Sequence, residues 1–327
     1  MRVVVLGATG HIGSYLVPRL AYAGHDVVAV SRGRREPYHE DPGWEMVRRV
    51  SAERTEQEYD VDFGNVITGL APDVLIDLIC YTPRQAEYLL VCLRGSWTRV
   101  ISCGSIWVHG HATEVPLTEA SPRNPFGDYG IRKAAIEEIL LGETRAGGLQ
   151  CTVLHPGHIS GPGWPVVNPA GNFDLAVWER LAAGRPVTLP LLGLETVHHV
   201  HADDVAQAFA LAVDAVDAIA GQSFHIVSDR ALTLRGFAEA VAGWFGRDAA
   251  LGFAPWVQFA REVGPENAAA TLDHIGHSPS VSNAKARAML GYRPRYTSLA
   301  AVADAVRWLA ANGRIDVPLR DFGPHPV

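Results

Sequence analysis

The opening stretch, "MRVVVLGATGHIGSYLVPRL", constrains the fold of this chain more than any other. Val3, Val4, Val5 and Leu6 form an unbroken apolar run, the pattern of a strand covered on both faces. Behind it Ile12, Leu16 and Leu20 recur at four-residue spacing, the buried stripe of a helix. Gly7, Gly10 and Gly13 therefore fall in a strand-to-helix turn. Glycine takes backbone angles that other residues avoid and lets a ligand or helix come close. Amides at the start of the helix, from His11 and Ile12 onward, favour a phosphate through hydrogen bonds and the helix dipole. A packing turn could carry the same triplet, but in this context it predicts nucleotide binding.

Strand and helix patterns keep alternating. Apolar strands are expected at Asp26–Ser31, around Glu45–Val50, and at "DVLIDLICY" (Asp73–Tyr81), "RVISCGS" (Arg99–Ser105) and "CTVLHPG" (Cys151–Gly157). Helices are clearest at Gln85–Leu93 and Ile131–Leu141. This order predicts an α/β fold, a doubly wound parallel sheet of the Rossmann type. From Ile159 to about Leu194 the chain carries "GPGWPVVNPAGN", whose Gly and Pro predict loops over a ligand cleft. A helix at Asp203–Val216 and a strand at Ser223–Val227 are expected to return to the sheet. Helices at Thr233–Phe245 and Ser298–Ala311 are assigned to a smaller C-terminal lobe. The expected division is 1–158 with 203–227 for the cofactor domain, and 159–202 with 228–327 for the substrate lobe.

A chain of 327 residues, 48% hydrophobic, can bury the core such a sheet needs. A net charge of −7 leaves no broad basic surface, so no nucleic-acid partner is expected. Cys80, Cys92, Cys103 and Cys151 form no CxxC pair; three lie in apolar runs, which suits core residues in a reducing compartment. The N-terminus enters the first strand directly, predicting no secretory leader, and no apolar run reaches the ~20 residues of a membrane helix. The expectation is a cytoplasmic protein without a membrane partner.

"DYGIRKAAIEE" sets Tyr129 and Lys133 four apart, one helical turn, at or just before a helix start. A tyrosine holds its proton until pH ~10, and a neighbouring ammonium stabilises the phenolate, making the pair a usable acid/base. Ser105 ends the strand "VISCGS" at the carboxyl edge, where such sheets bind ligands, and could hold a substrate oxygen against the phenol.

"GATGHIG", "SCGSIWVHG", "YGIRK", "LHPGHISGPG", "HHVHADDVAQAF" and "NAKARAMLGYRPRYTSL", taken in order, resemble the extended short-chain dehydrogenase/reductase family, the NAD(P)-dependent epimerase/dehydratase group. The resemblance implies a bound nicotinamide cofactor and catalysis by Ser105, Tyr129 and Lys133. Ser105 would orient the substrate, Tyr129 transfer a proton, and Lys133 hold the nicotinamide ribose. It implies cofactor contact by Gly7, Gly10, His11, Ile12, Gly13, Ser31, Arg32, Leu78, Cys80, Lys133, Pro156 and His158. Substrate contact is expected from Tyr81, Trp107, His158, Asn172, Phe173 and His199. Where NAD-preferring relatives carry an acidic residue, the chain reads "SRGRR", Ser31 to Arg35, and Arg32 suits the 2′-phosphate of NADP; NAD stays open.

Departures from the family narrow the substrate. Val197 stands where nucleotide-sugar epimerases place a diphosphate-binding arginine, and Thr271 to His274 lacks a second one. The family's asparagine after "LHPG" is His158. Losing fixed cations from a diphosphate pocket costs ~1.5–3 kcal/mol per charged hydrogen bond, so a neutral, polyhydroxylated or carbonyl-bearing small molecule is expected instead. His199 and His201, with His158 or with His274 and His277, have the spacing to consider a metal site, but substrate contact or structure is the preferred reading and no metal is expected. Net redox and epimerisation use the same residues and stay open. A non-catalytic nucleotide-sensing or RNA-associated protein of the same fold is the alternative, and a homodimer is among the assemblies allowed.

Overall fold

The computed structural model describes residues 1–54, 61–318 and 321–326. Strands β1 (Arg2–Leu6), β2 (Asp26–Ser31), β3 (Arg48–Ser51), β4 (Val74–Asp77), β5 (Arg99–Cys103) and β6 (Cys151–Pro156) alternate with helices α1 (His11–Tyr22), α2 (Val61–Gly69), α3 (Pro83–Leu93) and α4 (Gly127–Arg145). Then come β7 (His158–Ser160), α5 (Ala176–Ala182), β8 (Val187–Pro190), β9 (Thr196–Val197), β10 (His199–His201), α6 (Ala202–Asp214) and β11 (Ser223–Ile226). The chain continues through β12 (Leu232–Thr233), α7 (Leu234–Trp244), β13 (Leu251–Ala254), α8 (Trp256–Val263), α9 (Pro265–His277), α10 (Ala284–Leu290) and α11 (Ser298–Ala311).

Seven strands form one parallel sheet in the order β11–β6–β5–β4–β1–β2–β3. The chain moves outward from β1 to β3, then crosses back to β4 on the other side of β1. That reversal opens a crevice at the carboxyl ends of β1 and β4, where open α/β sheets bind ligands. The apolar run of β1 serves both faces. Val3 and Val5 pack with Leu16 of α1 and Phe209 of α6, while Val4 and Leu6 pack with Ile67, Leu90 and Leu140 beneath α2, α3 and α4. A further core gathers Trp178, Leu189, Phe237 and Val306 from later elements.

Several expected boundaries move for local reasons. The strand expected at Asp73–Tyr81 stops at Asp77, whose carboxylate accepts the Ile79 amide and ion-pairs with Arg54. The third strand begins at Arg48 because Pro42–Met46 forms a 3₁₀ turn capped by Asp41. The helix expected at Ile131–Leu141 spans Gly127–Arg145 and takes Tyr129 into its first turn. The region expected as loops, 159–194, contains α5 and β8. Among the described residues no helix is long and apolar enough to cross a membrane.

Candidate active site

Each glycine of the opening turn has a geometric reason. Gly7 adopts φ +80°, and a Cβ there would stand 2.5 Å from Ile79 Cγ2. A Cβ on Gly13 would stand 2.2 Å from the Ala8 carbonyl oxygen, so α1 seats on the turn only without one. Gly10 caps α1 without a side-chain hydrogen bond, and its own amide donates to Gly7 O at 2.9 Å. The turn and the first residues of α1, His11, Ile12 and Gly13, line a cleft of about 700 Å³.

One end of that cleft is rich in arginine. Ser31 closes β2, and Arg32, Arg34, Arg35 and Arg54 line the wall beyond it. Glu53 takes Arg34 through two hydrogen bonds of 2.9 and 2.7 Å and stands 4.0 Å from Arg32. Arg54 is buried, donating to Asp77 Oδ2 and to the Gln85 carbonyl, each at 2.7 Å. Sequence reading overlooked this pair, because its members lie 23 residues apart on different strand ends.

Ser105, Tyr129 and Lys133 meet at the other end, with Tyr81, Leu78 and Pro156 beside them. Ser105 lies just past β5, and its Oγ accepts the Trp107 amide at 3.2 Å. Lys133 is buried, its ammonium donating to the carbonyls of Cys80 (2.8 Å) and Cys103 (2.7 Å), with Nζ 5.8 Å from the centre of the Tyr129 ring. Tyr129 leaves 44% of its surface exposed along the cleft, but its hydroxyl end is enclosed. Burial pushes this phenol above its ordinary value, Cys103 adds to the push, and the hydrogen-bonding Ser105 hydroxyl opposes it. The phenol expected to be lowered is thus raised: enclosure dominates, and the ammonium is engaged by two carbonyls.

Two expected cofactor residues, Cys80 and His158, do not line the cleft. Cys80 reaches it through the carbonyl that holds Lys133, while burial raises its thiol to about 12. The substrate-side residues collect around Trp107. The Trp107 ring stands edge-on to Tyr129 at 5.7 Å, to His158 at 6.3 Å and to His274 at 5.5 Å, and stacks on His277 at 4.2 Å. His158 lies 5.8 Å from His199 and 5.1 Å from His274, whose ring meets Phe173 at 5.4 Å. His274 and His277 come from α9, far along the chain; the sequence offered them only as partners of His199 and His201, not as neighbours of Trp107.

Burial lowers His199 to about 3, and lowers His158 and His274 as well; neighbouring imidazoles push His158 and His199 further. These rings are neutral at pH 7. His158 Nδ1 accepts the His198 amide at 3.1 Å and so carries its proton on Nε2, an atom that is buried without a protein partner. His199 Nε2 is likewise unpartnered, while its Nδ1 meets Ser160 Oγ at 2.8 Å. Asn172 is placed differently from expectation. Its amide is taken up by Asn168, Asp174 and Thr271, which ties the 168–174 loop to α9. His201 turns to Asp304 and Tyr296. Among the described residues no group of three or more His, Cys, Asp or Glu side chains is placed to hold a metal ion.

Residues 3–226 match the profile of the NAD dependent epimerase/dehydratase family. The chain belongs to this family. It is 32% identical over 247 residues to 2′-dehydrokanamycin reductase of Streptomyces kanamyceticus, covering 76% of this chain and 67% of that one. It is 28% identical over 331 residues to a UDP-glucose 4-epimerase of Mycolicibacterium smegmatis, covering 94% and 98%. In fold it is similar to the dTDP-glucose 4,6-dehydratase of Streptomyces venezuelae solved with NAD bound, at TM-score 0.69 and 22% identity, over 98% and 100% of the two chains. A member of this family is an NAD(P)-dependent enzyme, and the cleft suits the dinucleotide. A side chain at Gly7 or Gly13 would clash with the cradle, and the arginine-lined end offers charge for a phosphate.

Proposed function

We propose that this chain transfers a hydride between NADP(H) and the carbonyl or alcohol carbon of a small, neutral, polyhydroxylated substrate, with net reduction as its working direction. The observation that carries this reading is the convergence of Ser105, Tyr129 and Lys133 on the cleft that begins at the glycine turn. The nicotinamide, when bound, supplies the hydride. Ser105 Oγ already accepts the Trp107 amide, so its own proton is left to donate, to the Tyr129 oxygen and to a substrate oxygen placed beside it. Burial keeps Tyr129 protonated, the form that donates a proton to a carbonyl oxygen as it becomes an alcohol. Lys133, fixed by two carbonyls, sets a positive charge beside the phenol and holds the Cys103 end of the Ser105 segment.

The NADP preference rests on Arg32, Arg34 and Arg35 at the end where Ser31 replaces a carboxylate, Arg54 being taken by Asp77. Arginine's charged fork binds phosphate well, and Glu53 offsets only part of that charge. Val197 bears on the substrate. It is fully buried, paired with Leu232 between β9 and β12, and gives a diphosphate nothing. Arg180, Arg185 and Arg261, arginines of the expected substrate lobe that could replace the missing clamp, do not line the cleft either. Neutral imidazoles both donate and accept, which suits hydroxyl groups. That one relative is named a reductase supports net reduction. The nearly full-length likeness to a UDP-glucose 4-epimerase favours a second reading, epimerisation of a nucleotide sugar. Purified protein with NADPH, followed by nicotinamide absorbance against neutral keto sugars and simple ketones, separates the two. The reading requires NADPH oxidation by such a compound. Micromolar binding of a nucleotide-diphosphate sugar, with no net oxidation, would return the chain to the epimerases.

A further inference from the structure

Behind Ser105 lies a buried polar chain that the proposed chemistry does not touch. The Ser105 backbone amide donates to His155 Nδ1 at 2.9 Å. That bond puts the imidazole proton on Nε2, which stands 3.0 Å from Glu137 Oε1, an ion-pair distance without the alignment of a hydrogen bond. Arg123 clasps the same carboxylate with two hydrogen bonds, Nη2 to Oε1 at 2.7 Å and Nε to Oε2 at 2.9 Å. Arg123 is itself held by the Glu119 and Ser121 carbonyls at 2.9 and 3.0 Å. His155 is fully buried and Glu137 nearly so. Burial alone would raise the Glu137 carboxyl, but His155 and Arg123 hold it well below the usual carboxylate range. An ionised carboxylate in this position fixes the ring whose far nitrogen receives the serine amide.

Glu137 sits one turn beyond Lys133 and two beyond Tyr129 on α4. A single helix therefore holds both ends of the segment Cys103–Gly104–Ser105: Lys133 takes the Cys103 carbonyl, and Glu137 acts through His155 on the Ser105 amide. Between them Gly104 donates to Leu154 O at 2.7 Å. A Cβ on Gly104 would stand 2.3 Å from His155 Nδ1, so the imidazole reaches Ser105 only because that residue is glycine.

We infer that Glu137 and His155 are positioning residues that fix the Ser105 hydroxyl relative to Tyr129, and that Gly104 is required for them to do so. This inference rests on Ser105 acting on the substrate as proposed above, but its first test does not need turnover. Hydrogen exchange of the Ser105 amide is compared in wild type, His155→Asn, whose Oδ1 can replace Nδ1 as acceptor, and His155→Leu, which has no acceptor. Exchange should quicken about tenfold or more in His155→Leu and Gly104→Ala, and stay near wild type in His155→Asn. Equal protection of Ser105 in the leucine variant overturns the inference. In the catalytic test, with the carbonyl compound found by the NADPH screen, Glu137→Gln should lower kcat about tenfold while NADPH affinity is unchanged. That loss should vanish when Ser105 is already alanine, as expected for residues acting through one another. A loss from Glu137→Gln that adds in full to that of Ser105→Ala also overturns it. If wild type reduces nothing in the screen, the proposed function fails, while amide exchange still decides this inference.

Discussion

Lys133 shows how one buried side chain can serve structure and chemistry together. Its ammonium satisfies two backbone carbonyls, those of Cys80 and Cys103. Lys133→Met leaves both unpaired, at about 1–3 kcal/mol each, so thermal melts should show a clear destabilisation and turnover should fall with it. A variant of unchanged melting temperature would mean those carbonyls find other partners. Arg32 belongs to the same scale. Arg32→Asp should reverse the preference for NADPH over NADH, measured as the ratio of their affinities by calorimetry, because a carboxylate repels the 2′-phosphate and accepts ribose hydroxyls. If NADH already binds more tightly to wild type, the arginine cluster has been misread. Spacing, taken together with the glycine turn and the serine at a strand end, exposed Tyr129 and Lys133, since residues four apart share a helix face. The direction of the Tyr129 shift was not legible. It is set by enclosure of the phenol, with Cys103 of another element adding to it.

The glycine turn, an element visible at first reading, was legible because close approach leaves its mark on residue type. Gly13→Ala tests it: the new methyl would meet the Ala8 carbonyl at 2.2 Å, so α1 must move off the turn. Cofactor affinity should drop at least ~10-fold, the loss of about one good hydrogen bond or more, while far-UV circular dichroism keeps its shape. Retained affinity would show that the cradle tolerates the shift. Strands with continuous apolar runs were equally plain, as was α11, whose bounds coincide with the expected Ser298–Ala311. The elements α8, α9 and α10 were not. Their apolar positions pack into cores assembled from distant segments, and α9 brings His274 and His277 to Trp107 from a stretch without a local motif. Asn172 was singled out as a substrate residue, yet its amide serves the loop that carries it.

Across the whole molecule, histidine ties stability to pH. Burial lowers His11 and His199 to about 3, and His109, His198 and His277 to about 4, against 6.5 for the unfolded chain. Below pH 6.5 the unfolded chain therefore binds protons that the folded one refuses, and stability falls as pH falls. Asp204, raised by burial to about 6, acts in the opposite sense between that value and 3.8, but it is one group against five. Each such group contributes at most about 1.4 kcal/mol per pH unit, so the net slope between pH 6 and 5 is clearly destabilising. Melting temperature should drop steeply over that interval; a flat profile down to pH 5 would contradict the buried, neutral histidines. The account as a whole turns on the phenol at the junction of sheet and cleft. Its most direct test is NADPH oxidation by Tyr129→Phe, measured on the carbonyl compound that wild type reduces, with NADPH affinity measured in parallel. The predicted result is turnover reduced by about 10²–10⁴ with affinity for NADPH retained. Wild-type turnover in that variant would contradict the claim that Tyr129 moves the proton.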